Sequence, residues 1–226
     1  MLENYSNISK KSVFISFIVL IALVFSVKMH FIFIQFIDQM FSSFIQGSFF
    51  GFLEPIMRLI TNIANTKLGF VYAILIAGYL WFKNHRVDSV WVLATMLGGS
   101  AVAFLLKHFV QRPRPTIDQL VPETGFSMPS GHTFEAFLVL AFIYLYFVRP
   151  MQESTVKNVC VRLLVLWQIL VMWSRIYMGA HYLTDTITSV VLGVVWLWFA
   201  IILYHRFYGT IEDLIQPVIG SHSRRN

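Results

Sequence analysis

The chain has 226 residues, 57% of them hydrophobic and 12% charged, with a formal net charge of +6. Soluble domains carry roughly 25% charged residues, so this composition excludes an ordinary soluble domain and points to an integral membrane protein. The basic residues form no cluster of the kind a nucleic-acid footprint needs, and the lone Cys160 excludes an internal disulfide and any multi-cysteine metal site. At this length a single helical bundle is expected, one domain over residues 1–226.

The first apolar segment, 12–29, follows Lys10 and Lys11. No small-residue cleavage site comes after it; the chain continues "KMHFIFIQF". It is therefore read as a retained span rather than a signal peptide. Residues 31–65 differ. Gln35, Asp38, Gln39, Ser42, Ser43 and Gln46 recur at helical spacing, one polar stripe on a helix otherwise built of Phe, Ile and Met. Gly47, Gly51 and Pro55 interrupt it, and a second amphipathic stretch runs to about residue 65. These read as helices at the membrane surface or against the bundle; the alternative is one further span with its polar residues turned inward.

Five more apolar segments follow: 68–83, 87–106, 132–149, 162–179 and 184–205. Most approach the ~20 residues that cross a bilayer, the 68–83 segment being short. In hydrocarbon each must satisfy its own backbone, so all are helices. The expected fold is all-α: a polytopic membrane protein with six transmembrane helices, and amphipathic helices between the first and second. Gly98, Gly99 and Ser100 allow close approach of a neighbouring helix. The tail 209–226 is polar and expected to be loosely held. Lys10, Lys11, Lys83, Arg86, Arg149, Lys157, Arg162, Arg206, Arg224 and Arg225 fall on one side of this layout. Lys28, Arg58, Lys67, Lys107, Arg112, Arg114 and Arg175 fall on the other, three of them taken up by the chemistry below, and the balance predicts that the N and C termini are inside.

Four polar clusters then fall at span ends on the opposite, outer side: "KHFVQRPRP" (107–115), "PSGH" (129–132), Ser174 with Arg175, and "HYLTD" (181–185). Charges beside hydrocarbon require an explanation. Lys107, Arg114 and Arg175 are three cations facing one direction, an arrangement that is unfavourable unless an anion sits among them. Guanidinium forks and an ammonium together suit a phosphate. Ser130 and Gly131 precede a helix start, whose free N–H groups favour anionic oxygens; an ordinary turn with a serine cap is the plainer reading of "PSGH" alone. His181 and Asp185 are four apart and share a helical face, so the carboxylate can fix the imidazole tautomer and leave the other nitrogen free. His132 is positioned to give a proton to a leaving oxygen. Metal binding by His132, His181 and Asp185 is the competing use, opposed by the three neighbouring cations.

Other residues are left open. His108 and Arg112 either touch a lipid head group or position the first motif. Glu135 faces the site or a polar interior. Asp118 and Glu123 either govern access or are solvated.

Taken in order, K-x6-RP, PSGH and SR-x5-H-x3-D, these motifs resemble those of the type 2 phosphatidic acid phosphatase superfamily, with every position matched. The resemblance implies a metal-independent and cofactor-free lipid phosphatase working through a phosphohistidine. It makes His181 the nucleophile, Asp185 its support and His132 the proton donor. Lys107, Ser130, Gly131, Arg114 and Arg175 then hold the phosphate oxygens. The partners it implies are the bilayer and a membrane lipid phosphate, with undecaprenyl diphosphate or phosphatidylglycerol phosphate favoured. A phosphotransferase using the same intermediate is the enzymatic alternative. A lipid or ion transporter is the other class, opposed because the charges lie at span ends rather than at the midplane.

Overall fold

A computed structural model describes residues 10–46, 52–116 and 119–215. Among the described residues there are eight α-helices: α1 (Lys10–Lys28), α2 (Ile32–Gln46), α3 (Glu54–Ile63), α4 (Thr66–Phe82), α5 (Arg86–Val110), α6 (Gly131–Ile143, continued by a π turn, Tyr144–Val148), α7 (Thr155–Tyr177) and α8 (Leu183–Ile215). Helices α1, α5, α6 with its π turn, α7 and α8 are long and apolar enough to cross a membrane. Helices α3 and α4 qualify together as a sixth span bent by 47°.

Local chemistry sets the helix ends. The Asn65 side chain accepts from Lys67 N at 2.9 Å and starts α4; Ser154 does the same for Lys157 N at 3.2 Å and starts α7. Pro55 occupies the first turn of α3, where no intrahelical donor is lost. Helix α5 stops at Gln111, which adopts the left-handed conformation (φ 57°). Lys28 Nζ then donates to Phe109 O at 2.7 Å, tying the end of α1 to the free carbonyls that close α5.

The core is the packing of α4, α5, α6 and α8. Ala73, Leu80, Val92, Met96, Phe134, Leu138, Phe142 and Tyr204 are almost wholly buried there. Large apolar side chains such as Phe14, Phe104 and Leu163 remain exposed on the outside, as a lipid-facing surface requires. At the end away from the motifs, buried Asp88 accepts from Tyr146 Oη (3.2 Å) and Tyr204 Oη (3.0 Å), joining α5 to α6 and α8. Gly98 and Gly99 lie against the Trp196 indole of α8, whose Nε1 donates to Thr95 O at 2.9 Å. The close approach expected of them is present.

Two elements differ in detail from expectation. Helix α8 continues through Gly209 to Ile215, so the early part of the expected tail is helical; residues 216–226 lie outside the described residues, as do Gly47, Gly51 and Asp118. The stripe on α2 is divided. Gln35, Gln39 and Ser43 are exposed, whereas Asp38 is fully buried on the side that also carries Ile34, Ser42 and Ile45. The charge turns inward because partners wait for it there. Helix α2 accordingly packs on α7 and α8, and α3 packs on α7.

A methyl group at Gly99 would lie 2.6 Å from Trp196 Nε1 and 3.0 Å from Phe134 Cζ, whereas one at Gly78 would meet nothing within 4 Å. Gly99→Ala is expected to cost about 1–3 kcal/mol through overpacking. Gly78→Ala gains up to ~1 kcal/mol of helix propensity. Thermal unfolding of the detergent-solubilised protein checks the opposite signs.

Candidate active site

One end of the bundle collects the motif residues. The C-terminal turn of α5 brings Lys107, the N terminus of α6 brings Ser130, Gly131 and His132, the end of α7 brings Arg175, and the start of α8 brings Asp185. Arg114 comes from the connector after α5, and His181 from the short turn between α7 and α8. That turn is closed by Gly179 at φ 66°, a conformation open to glycine at little cost. His181 and Asp185 are therefore not on one continuous helix. Asp185 Oδ2 instead accepts from Tyr182 N at 2.9 Å, and the carboxylate caps the turn on which His181 sits.

His181 is 2% exposed. Its Nε2 lies 3.2 Å from Arg114 Nη1. A guanidinium can only donate, so Nε2 carries the lone pair and the proton resides on Nδ1. Nδ1 faces Asp185 Oδ2 at 3.6 Å and has no hydrogen-bond partner among the described residues. This separation is long for a hydrogen bond. The tautomer expected from the four-residue spacing is the one this geometry supports.

The cations lie around this ring. Arg114 also donates to Ala180 O (2.9 Å), Thr124 O (3.1 Å) and Gly125 O (3.2 Å). Arg175 is 1% exposed and donates through Nη1 to Thr61 Oγ1 of α3 at 2.5 Å, while its Nε has no partner among the described residues. Lys107 and His132 are half-buried, and no hydrogen bond to either side chain is present among the described residues. The electrostatic neighbours of His132 include Arg175, Glu123, His181 and Lys107. At the start of α6, Ser130 Oγ accepts from Thr133 Oγ1 at 3.0 Å. The site residues named from sequence thus converge on one end of the bundle.

Three residues that the motifs leave out also belong here. Glu123, undecided between access and solvation, pairs with Arg175 and stands 3.6 Å from Arg114. The anion that the cation cluster demands is supplied by the protein's own carboxylate. Burial acts against its charge, but the two guanidinium groups hold its pKa below the usual carboxylate range. Arg112 is buried and does not reach outward to a head group. It donates through Nη1 to Asp185 Oδ1 (2.6 Å) and Thr184 Oγ1 (2.7 Å), and through Nη2 to Asp38 Oδ2 (2.5 Å). Its pKa is raised: burial opposes the charge, and Asp185 and Asp38 more than offset it. Thr61 had no sequence signal, since a single threonine on an amphipathic helix is unremarkable in isolation. His108 remains exposed, stacked near Phe104 with ring centroids 4.1 Å apart. Glu135 turns to the interior, where it meets Thr66 and Ser100.

At one end of a membrane-spanning helical bundle, an unprotonated imidazole nitrogen thus lies among guanidinium and ammonium groups, an arrangement whose chemistry suits an anion. The PAP2 superfamily model matches residues 88–208, and the chain belongs to that superfamily. It is a membrane lipid phosphatase. Phosphatidylglycerophosphatase B of Bacillus subtilis is 28% identical over 144 residues, covering 63% of this chain and 70% of the relative. Undecaprenyl-diphosphatase BcrC of the same organism is 28% identical over 174 residues, 74% of this chain and 79% of the relative. The crystal structure of a transmembrane PAP2-type phosphatidylglycerolphosphate phosphatase from Bacillus subtilis superposes with a TM-score of 0.73 at 21% identity. It covers 91% of this chain and 98% of its own, a likeness of fold.

Burial lowers the His181 pKa to about 4; Asp185 raises it, and Arg175 and Arg114 lower it further. The neutral ring is therefore kept as pH falls through the ordinary imidazole range and is lost only near 4. The acid limb of kcat/KM, corrected for ionisation of the substrate's own phosphate, is expected well below the ~6.5 of a free histidine. A pH–rate profile checks this; a limb at 6.5 contradicts it.

Proposed function

We propose that the protein hydrolyses a lipid phosphate or diphosphate through a phosphohistidine, at the outer membrane face, with undecaprenyl diphosphate or phosphatidylglycerol phosphate as substrate. The observation that carries this reading is the Arg114–His181–Asp185 arrangement, in which a lone pair on His181 Nε2 is held among phosphate-binding cations.

In this mechanism Arg114, Arg175 and Lys107 hold the non-bridging oxygens, with the N–H groups at the start of α6 assisting. His181 Nε2 attacks phosphorus in line and forms the N–P bond as the bond to the leaving oxygen breaks. His132, in its protonated form, gives that oxygen its proton. Asp185 stabilises the positive charge that develops on the His181 ring. Water then attacks the phosphohistidine, His132 takes its proton, and inorganic phosphate leaves. Most of the acceleration comes from positioning and charge, as is general for phosphoryl transfer.

Glu123 occupies part of this cation cluster through Arg175 and Arg114. The incoming phosphate replaces it, since a carboxylate beside a phosphate dianion is repulsive. The substrate classes are supported by the names of the relatives, one acting on phosphatidylglycerophosphate and one on undecaprenyl diphosphate. A site at span ends suits a scissile group at the membrane–water boundary. The Lys and Arg distribution supports an outward-facing site.

Purified protein assayed against a panel of lipid phosphates and diphosphates with EDTA present is expected to release phosphate. His181→Asn should remove activity to at least ~10³-fold below wild type, and His132→Ala should lower it by about 10²–10⁴-fold. Normal turnover by His181→Asn, or a requirement for a divalent ion, contradicts the mechanism. Sidedness is read separately. A Thr116→Cys variant lacking Cys160 should react with an impermeant thiol reagent in intact cells, and labelling only after permeabilisation reverses the orientation.

A further inference from the structure

We infer that Asp38, on the amphipathic helix α2, is a positioning residue for His181, acting through Arg112 and Asp185; the inference rests on His181 being the nucleophile. No motif contains Asp38, and it is 146 residues away from Thr184, which it touches.

The chain of contacts is continuous. Asp38 Oδ1 accepts from Thr184 N at 2.9 Å, and Asp38 Oδ2 accepts from Thr184 Oγ1 at 2.6 Å and Arg112 Nη2 at 2.5 Å. Arg112 Nη1 donates to Asp185 Oδ1 at 2.6 Å. The second oxygen of Asp185 faces His181 Nδ1. Asp38 and Asp185 are both fully buried, and Arg112 is 9% exposed. Each terminal nitrogen of Arg112 serves one carboxylate, and its plane lies over the Tyr182 ring, 4.1 Å from the centroid.

This geometry assigns separate tasks. One guanidinium with one carboxylate would be free to pivot about that pair. Held at a second point by Asp38, the fork has a fixed plane, and so does the Asp185 oxygen it grips. Thr184 N, at the start of α8, is held by the same carboxylate, so α2 also sets where α8 begins. Charge gives a second task. Asp185 alone would be fully engaged by Arg112. With Asp38 sharing that cation, the cluster retains one net negative charge, and this supports the positive ring that forms when His181 bonds to phosphorus. An amphipathic helix that only rested on the membrane surface would have no use for a fully buried aspartate.

The test is Asp38→Asn, which keeps the shape and removes the charge. Three measurements are made: steady-state kinetics on the lipid phosphate that wild type cleaves best, the melting temperature in detergent, and the ¹⁵N spectrum of histidine-labelled protein without substrate. The expected result is a kcat lower by about 10–100-fold, the range seen when a group orienting a ligand residue is removed, with KM changed less than about threefold. The His181 signals should move from a single Nδ1–H tautomer to a mixture. Gly99→Ala serves as the comparison, since it lowers stability by overpacking against Trp196 and leaves kcat and the tautomer unchanged. Should Asp38→Asn not fold, Thr184→Val removes one hydroxyl from the same network and is expected to show the same changes, a few-fold in kcat.

An unchanged tautomer overturns the inference whatever the rate does, and so does a wild-type kcat. If wild type cleaves no lipid phosphate and the tautomer still moves, the positioning chain stands and the phosphatase mechanism falls. If wild type turns over and Asp38→Asn matches it, the reverse holds.

Discussion

Arg112 stands between two buried carboxylates, and much of the active end depends on that one cation. Asp38 comes from α2, Asp185 from α8 and Arg112 from the connector after α5, so a single guanidinium joins three parts of the chain. Burying a charge is costly unless it is paired and hydrogen-bonded, and removing one partner of a buried pair typically costs about 3–5 kcal/mol. The three groups are therefore interdependent. None is tolerable at its depth without the others, and this forces α2 inward and holds the start of α8 in place.

The cluster of Arg114, Arg175 and Lys107 is built on the opposite principle. There the cations exceed the anions, and the excess is relieved by Glu123 from the loop before α6. A cluster of buried cations is electrostatically loaded, and a carboxylate on a loop relieves it. Both carboxylates around Arg112 are fully buried, whereas Glu123, which faces Arg114 and Arg175, is partly exposed on a loop.

The far end of the bundle keeps the frame rigid by similar means on a smaller scale. Asp88 receives two tyrosine hydroxyls, and the Trp91 indole donates to Ala200 O at 2.9 Å, so α5, α6 and α8 are joined at depth by polar contacts. Between the two ends, Gly98 and Gly99 let the Trp196 indole approach α5 closely, its Nε1 donating to Thr95 O. Helices of one bundle have little hydrophobic incentive to associate within lipid, so close packing and buried hydrogen bonds carry the association.

The sequence by itself determined the class of fold, because composition and apolar segment length respond directly to the bilayer. It also determined the motif residues. Lys107, Arg114, His132, Arg175, His181 and Asp185 are legible by type and spacing as three motifs, whatever path the chain takes between them. Only the tertiary structure decided what those residues lean on. Asp38 looked like part of an ordinary polar stripe, and a stripe on one helix does not reveal which of its members finds a cation on another. Arg112 stood two residues from Arg114 with the same chemical character, and only the turn at Gln111 and the approach of α2 and α8 direct one inward and the other to the site. Glu123 was undecided for the same reason. The role of a charge is set by what faces it, and what faces it lies far away along the chain.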